Sequence, residues 1–339
     1  MDITLQKPWS LWVEDFPETG TAADKLRFFL NYAVLAPSSH NSQPWLFDIT
    51  SRHLDLYADR TQCLPVADPE DRELKISCGA ALFFLRIAIR HFGYEDIVEI
   101  LPDRSRPDLL ARVRLGDQKA ATRDEQVLFE AIPKRHTNRK PFQERALPVA
   151  LPSALSKAAE AENAYITFID SDAERKAVGE LIGEADRTQW ADKRFRHELA
   201  AWVRTTTAAS YDGVQSNLLD MGDLNAYAIP HVIRNFDLGS GQAAKDLVSV
   251  ADTPALFVLA TDSDTPADWV AAGQALARVL LRAAVEGVSA SYLNQPIQVP
   301  PLRDTLAVLT GSARYPQVML RMGYGDSLPP TPRRNPEVL

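Results

Sequence analysis

The chain has 339 residues, 45% of them apolar and 24% charged, a balance that excludes disorder as the default and suffices for two ordinary cores or one large α+β unit. A formal charge of -8 with no long Lys or Arg run argues against a nucleic-acid partner, although a phosphate ligand would still need local positive charge. Two cysteines, Cys63 and Cys78, are too few for a disulfide framework or a four-cysteine metal site, which fits a reducing cytoplasm.

The first residues carry Trp9 and Trp12 but no basic-then-apolar secretory pattern. The longest apolar stretch, 80–89, is broken by Arg86 and is too short to cross a bilayer, so no membrane partner is expected. Thr21 can cap a helix with Leu26, Phe29, Leu30, Ala33 and Val34 on one face, ending near Pro37. After a loop over 37–44, residues 45–49 and 53–57 read as strands. Residues 77–92 read as a central helix, apolar on most sides and stopped by Gly93. Strands follow at 98–101 and 110–115, and a polar stretch puts the main boundary near residue 122, giving halves 1–122 and 123–339. The second half reads as a helix at 125–132, a basic segment at 134–140, a helix near 154–161 and a strand at 165–169. Residues 174–247 form an excursion, helical at first and then irregular. A strand at 254–260, a helix at 269–286 and a strand at 318–322 close the chain before a proline-rich tail.

One internal correspondence bears on architecture. Gly79 and Gly93 bracket one helix, and Gly273 and Gly287 bracket another at the same spacing, with Ala81-Leu82 matched by Ala275-Leu276. Duplication and chance coincidence between two buried helices both account for this.

Two segments carry chemistry. Ala36-Pro37-Ser38-Ser39-His40-Asn41-Ser42-Gln43-Pro44-Trp45 leads from a helix end into a strand. Its hydroxyls and amides could converge on a polar heterocycle, with the prolines holding the backbone open; a polar capping loop has the same composition. Lys134-Arg135-His136-Thr137-Asn138-Arg139-Lys140 puts four cations and a hydroxyl where they could surround a phosphate, and Arg333-Arg334 adds a third basic point. The alternative for both is a solvated charge run. The six histidines are scattered, without metal-ligand spacing, and read as ordinary surface or core residues.

The Pro-Ser-Ser-x-Asn-x-Gln-Pro-Trp run resembles the flavin-contacting loop of the FMN-dependent nitroreductase family. Arg135 to Arg139 resembles that family's phosphate clamp, with Thr137 in the serine position. Gly323-Tyr324-Gly325 with Arg333-Arg334 resembles its closing strand and basic tail, and residues 287–295 its segment facing the reactive ring. The resemblance implies a nitroreductase-like α+β fold with an antiparallel or mixed sheet flanked by helices. It also implies FMN as cofactor, NAD(P)H as reductant and a small-molecule electron acceptor such as a nitroaromatic or quinone. On this basis Arg135, Arg139, Arg333 and Arg334 would neutralise the phosphate, assisted by Thr137 and flanked by His136. Pro37, Ser38, Ser39, Asn41 and Gln43 would line the ribityl chain and ring edge, and Leu293, Asn294 and Gln295 would approach the ring. No side chain is nominated as catalytic, because flavin carries the chemistry. Asn294 and Gln295 stand where the family pattern has an acidic residue and glycine, which leaves the flavin's tuning open.

In an ordinary member of the family the clamp precedes the loop; here it follows it. This order implies two fused copies, each lacking one part, so that a monomer holds one complete site as an internal pseudo-dimer. The arrangement is similar to the mycobacterial Acg branch, in which a lid covers the flavin, and residues 174–247 are the candidate lid. An insertion packed away from the site is the alternative. The competing function is FMN sequestration or storage with little or no turnover.

Overall fold

The computed structural model describes residue 9 and residues 13–205, 210–216 and 227–336. Trp12 and residues 217–226 of the excursion lie outside the described residues.

Helix α1 (Ala22–Ala33) begins at the expected cap. Thr21 Oγ1 accepts from Asp24 N at 3.2 Å and Asp24 Oδ2 accepts from Thr21 N at 2.9 Å, a reciprocal box that satisfies two otherwise unpaired donors. Strands β1 (Trp45–Ile49) and β2 (Leu54–Ala58) form a hairpin. Helix α2 (Arg72–His91) starts more than a turn before the sequence-based estimate, because its first residues are polar yet buried. Arg72 Nη1 donates to Gln317 O at 2.6 Å, and Glu73 Oε2 accepts from Ser39 Oγ at 2.6 Å. An apolar periodicity cannot see residues buried by pairing. Strands β3 (Tyr94–Ile100) and β4 (Leu109–Gln118) complete an antiparallel sheet ordered β1-β2-β4-β3, and α3 (Arg123–Ala131) follows.

The second half runs through α4 (Leu151–Glu160) and β5 (Tyr165–Phe168) into the excursion. The excursion contains α5 (Asp172–Ala191), α6 (Lys193–Trp202), the short parallel pair β6 (Val203–Arg204) and β7 (Val214–Gln215), α7 (Ile229–Asn235) and α8 (Gly239–Ala251). Then come β8 (Ala255–Thr261), α9 (Pro266–Val285), β9 (Ser289–Tyr292), α10 (Gln295–Gln298), α11 (Pro300–Leu309) and β10 (Tyr315–Gly323). Their antiparallel sheet is ordered β5-β8-β10-β9. The fold is therefore α+β with its sheet divided in two. In both sheets the four strands, taken in chain order, stand first, second, fourth and third, and a 20-residue helix joins the second strand to the third.

Those two helices, α2 and α9, pack on each other, and the matched glycines stand at their crossing. A Cβ on Gly79 would lie 2.2 Å from Val270 O, and one on Gly273 would lie 2.0 Å from Ile76 O. Each glycine thus admits the backbone one turn upstream of the other, a reciprocal contact that no side chain permits. The two cores are interleaved at this seam. Val270, Ala277 and Leu281 of α9 belong to the first core, and Ile76 of α2 to the second.

The excursion is not packed away. Val178, Leu181, Ile182 and Ala185 of α5 bury against Leu256 and Val258 of β8, with Met319 of β10, on the side of the second sheet opposite α9. Helix α6 reaches the first half, where the Glu198 carboxylate accepts from Val66 N and Ala67 N, each at 2.9 Å. No helix among the described residues is long and apolar enough to cross a membrane.

Candidate functional site

A cavity of about 690 Å³ lies where the two halves and the excursion meet. Pro37, Ser38 and Ser39 come from the loop after α1, Thr137 and Arg139 from the basic segment, and Leu293, Asn294 and Gln295 from the stretch between β9 and α10. Eight of the fourteen sequence-nominated residues thus line one space, although the chain separates them by more than 250 positions. The other six, Asn41, Gln43, Arg135, His136, Arg333 and Arg334, do not line it.

The basic segment is bolted to the second sheet. Thr137 pairs with Ala290 in a parallel bridge, Asn138 N donates to Ala290 O at 2.9 Å, and Asn138 Nδ2 donates to Asp326 O at 3.1 Å. A Cβ on Gly325 would lie 2.3 Å from that Nδ2, so the glycine after Tyr324 is the room that Asn138 occupies. This anchoring presents Arg135 and Arg139, whose guanidinium groups have no hydrogen-bond or ion-pair partner among the described residues. Arg135 is 5% exposed and its Nε is buried without an acceptor. Arg139 keeps contact with solvent, although protein surrounds its head group, and lines the cavity. Burial pushes both below the usual arginine range.

Arg333 joins them from the tail. Its Nη1 donates to Asn41 Oδ1 at 2.7 Å and its Nη2 to Ala36 O at 3.3 Å, while its Nε is buried and unpaired. Burial, then the like charge of Arg135, lowers it to about 9. Trp9 covers this end, its ring 5.7 Å from the Arg333 guanidinium and 5.4 Å from His136, with Trp9 Nε1 donating to Thr331 O at 3.0 Å. His136 is held near 4 by burial and the positive charge of Arg135 and Arg333, so it is neutral. Tyr292 faces the same group. Burial raises its hydroxyl to about 12 against the pull of Arg135, Arg139 and Arg333, and the hydroxyl has no partner. The composite is a buried, cationic recess with unspent donors.

The Ser-Ser loop is shaped by its own bonds. His40, Asn41 and Gln43 have φ of 53°, 55° and 52°, a left-handed cluster that non-glycine residues adopt only where the surroundings enforce it. Ser38 Oγ accepts from Gln43 N at 2.9 Å, and Ser39 Oγ donates to Glu73. Gln43 is fully buried; its Nε2 donates to Tyr211 O at 2.7 Å and its Oε1 accepts from Arg334 N at 2.8 Å. Arg334 Nη2 donates to Ser42 O at 2.9 Å and to Gln43 O. Asn41 spends its amide on Arg333 and on Pro332 O at 3.2 Å. Asn41, Gln43 and Arg334 therefore position the loop and tail and turn no polar side-chain atom to the cavity. Between Ser39 and Asn41, His40 does line it, and burial holds it near 4.

The excursion supplies the facing wall, which carries the residues that sequence reasoning missed. Asp186 and Trp190 of α5, Phe195 of α6 and Asp246 of α8 line the cavity. Gln189 Nε2 donates to Gln298 Oε1 at 2.8 Å, and Gln298 Nε2 to Glu73 Oε1 at 2.9 Å, so a bonded chain runs from the excursion through α10 to α2. Gln295 Nε2 bridges two carboxylates, 3.2 Å from Asp186 Oδ1 and 2.7 Å from Asp246 Oδ2. Asn294 Oδ1 accepts from Met319 N at 2.9 Å and fixes this turn against β10. Tyr292 lies beside the nominated Leu293 and Glu73 about one turn before the predicted central helix, but nothing in the local pattern of α5 or α8 marks Asp186 or Asp246.

Fold and cavity together define an α+β protein with a deep ligand space, cationic at one end and acidic on one wall. Comparison with known proteins supplies the relationship. A Mycobacterium tuberculosis protein provisionally named NAD(P)H nitroreductase is 30% identical over 321 residues, 92% of this chain and 90% of its own. The M. tuberculosis Acg protein, also provisionally named NAD(P)H nitroreductase, is 27% identical over 94% of this chain and 96% of its own. The chain belongs to this nitroreductase family, on the side of Acg and its relatives. The crystal structure of the FMN-dependent nitroreductase NfnB from M. smegmatis in complex with NADPH aligns at 17% identity and a TM-score of 0.38, covering 59% of this chain and 88% of that one. No family model matches the sequence.

Proposed function

We propose that the protein is an FMN-binding oxidoreductase that takes hydride from NAD(P)H and reduces a small acceptor such as a nitroaromatic or a quinone. The observation that carries this is the cationic recess. Arg135 and Arg333 are buried with unpaired Nε atoms and no carboxylate partner among the described residues, a costly arrangement unless a ligand brings the anion. A phosphate monoester offers that charge and several acceptor oxygens. FMN would be held with its phosphate among Arg135, Arg139, Arg333 and the Tyr292 hydroxyl. Its ribityl chain would run past Ser38 and Ser39, and its ring would lie against Leu293, Asn294 and Gln295. When bound, the flavin supplies two-electron hydride chemistry, and the chain supplies position, charge and exclusion of water. His40 and His136, neutral at working pH, would add no charge beside the phosphate.

Both parts of the site come from one chain, the loop from residues 1–122 and the clamp from residues 123–339, which supports a monomer acting as an internal pseudo-dimer. Gel filtration is expected to give a monomer, and a dimer sealed across the cavity would reject this part. The free thiols of Cys63 and Cys78 fit a cytoplasmic location.

The test is an absorbance titration with FMN, followed by anaerobic NADH and NADPH. Bound yellow flavin that bleaches and is reoxidised by a quinone is the expected result; protein that refuses FMN would overturn the reading. The wall of Trp190 and Phe195 from the excursion favours one rival, flavin sequestration without turnover. Yellow protein that stays oxidised under both nucleotides would select it.

A further inference from the structure

The recess explains the arginines but leaves the opposite wall unexplained. Asp186 is 1% exposed and Asp246 8%, both line the cavity, and neither has an ion-pair partner among the described residues. One amide, Gln295 Nε2, serves both carboxyls, and Gln242 Nε2 adds a bond to Asp246 Oδ2 at 3.1 Å. Asp186 Oδ2 is buried with no donor to accept from, and Gln295 Oε1 is equally bare. An ionised carboxylate pair would leave Asp186 Oδ2 unpaired and two like charges adjacent. A single proton resolves both problems, because a carboxyl O–H on Asp186 can donate to Asp246.

We propose that the Asp186–Asp246 pair is the acid of the acceptor half-reaction, holding one proton at the cavity wall and giving it to the acceptor as that acceptor is reduced. This rests on the flavin reading above. With a quinone, the hydride that a bound flavin would supply would form one O–H bond, and the ring electrons would move to leave negative charge on the second oxygen. The carboxyl O–H bond then breaks, its electron pair staying on the carboxylate, and a new O–H bond forms on that second oxygen. Quinone, hydride and proton thus become hydroquinone, and solvent reprotonates the pair.

The surroundings favour a retained proton. Burial and the neighbouring Asp246 raise Asp186 to about 8, and burial raises Asp246. Arg187 on α5 and Arg321 on β10 pull the other way, Gln242 on α8 and Gln295 on α10 bond the ionised form, and Lys245 lies on the same cavity wall. The acid comes from α5 and α8 of the excursion, so the segment that encloses the cavity also equips it.

The first test needs no turnover. In protein as purified, labelled with ¹³C at the aspartate carboxyls, one resonance should titrate near pH 8, vanish in Asp186→Asn and titrate at lower pH in Asp246→Asn. Asp68, raised to about 6, is the internal reference for a buried carboxyl outside the cavity. If no aspartate other than Asp68 titrates above about pH 5, the proposal fails. The second test is stopped-flow reoxidation of pre-reduced protein by a quinone. The wild-type rate should fall as pH rises through the same value. Either Asn variant should be slower by about 100-fold with a flat profile. Variants that follow the wild-type rate across pH would overturn the proposal. Protein that refuses FMN would remove the flavin reading instead, and the carboxyl titration would still report whether the pair holds a proton, so the two failures are distinct.

Discussion

The two halves build the same sheet and diverge in what they add to it. In the first, Thr50 and His53 close a tight hairpin between β1 and β2, Thr50 N donating to His53 O at 2.9 Å. In the second, α5 to α8 come between the corresponding strands in the chain, and α5, α6 and α8 line the cavity. The first half contributes a strained polar loop whose amides are spent on the tail and the excursion. The second contributes the cations and, through the excursion, the carboxyl pair. A symmetric framework thus carries an asymmetric site, and symmetry survives where packing demands it, at the Gly79–Gly273 crossing.

The comparison breaks most severely at the clamp. Replacing Arg135 and Arg139 together with Ala should remove two charge-assisted contacts and weaken FMN binding by about 3–6 kcal/mol, read by fluorescence titration. The same change at exposed Arg104 and Arg106 of the first half should have no effect on it. The seam comes next. Gly79→Ala and Gly273→Ala should each cost about 1–3 kcal/mol in thermal melts, and nearly equally, because each Cβ meets main chain that cannot swing aside. Unequal losses would show that the crossing is not reciprocal.

A smaller effect separates binding from folding. Arg135→Met should raise the melting temperature of flavin-free protein, by the equivalent of about 1 kcal/mol, since an unpaired buried cation is removed. It should lower the melting temperature once FMN is added. The smallest effect is in pH. Asp186 has its folded pKa raised, to about 8, so the folded state holds the extra proton and stability falls as pH rises toward that value. His40 and His136 have folded values lowered to about 4, so their contribution is complete above about 6.5 and is lost on acidification. Between pH 6.5 and 8 the carboxyl pair therefore dominates. Wild-type stability should decline there, and Asp186→Asn should flatten the slope in denaturant titrations.

Much of this was legible in the residues. The Thr21 cap and an apolar stripe mark α1, extended patterns mark β1 and β2, and the proline-flanked serines and the basic heptad mark two faces of the cavity. These are local signals, carried by residues close together in the chain. The start of α2 was missed because Arg72 and Glu73 are buried by pairing with Gln317 and Ser39, which lie far away in sequence.

The sequence by itself determined the composition of the site, since the cations, hydroxyls and amides are fixed by which residues occupy a loop, a segment and a tail. Only the tertiary structure decided their division of labour. It turned Asn41, Gln43 and Arg334 into braces, left Arg135 and Arg333 without acids among the described residues, and set Asp186 against Asp246 under one glutamine amide. The physical reason is that a buried polar group is defined by what satisfies it, and those partners come from segments whose meeting depends on packing the whole chain.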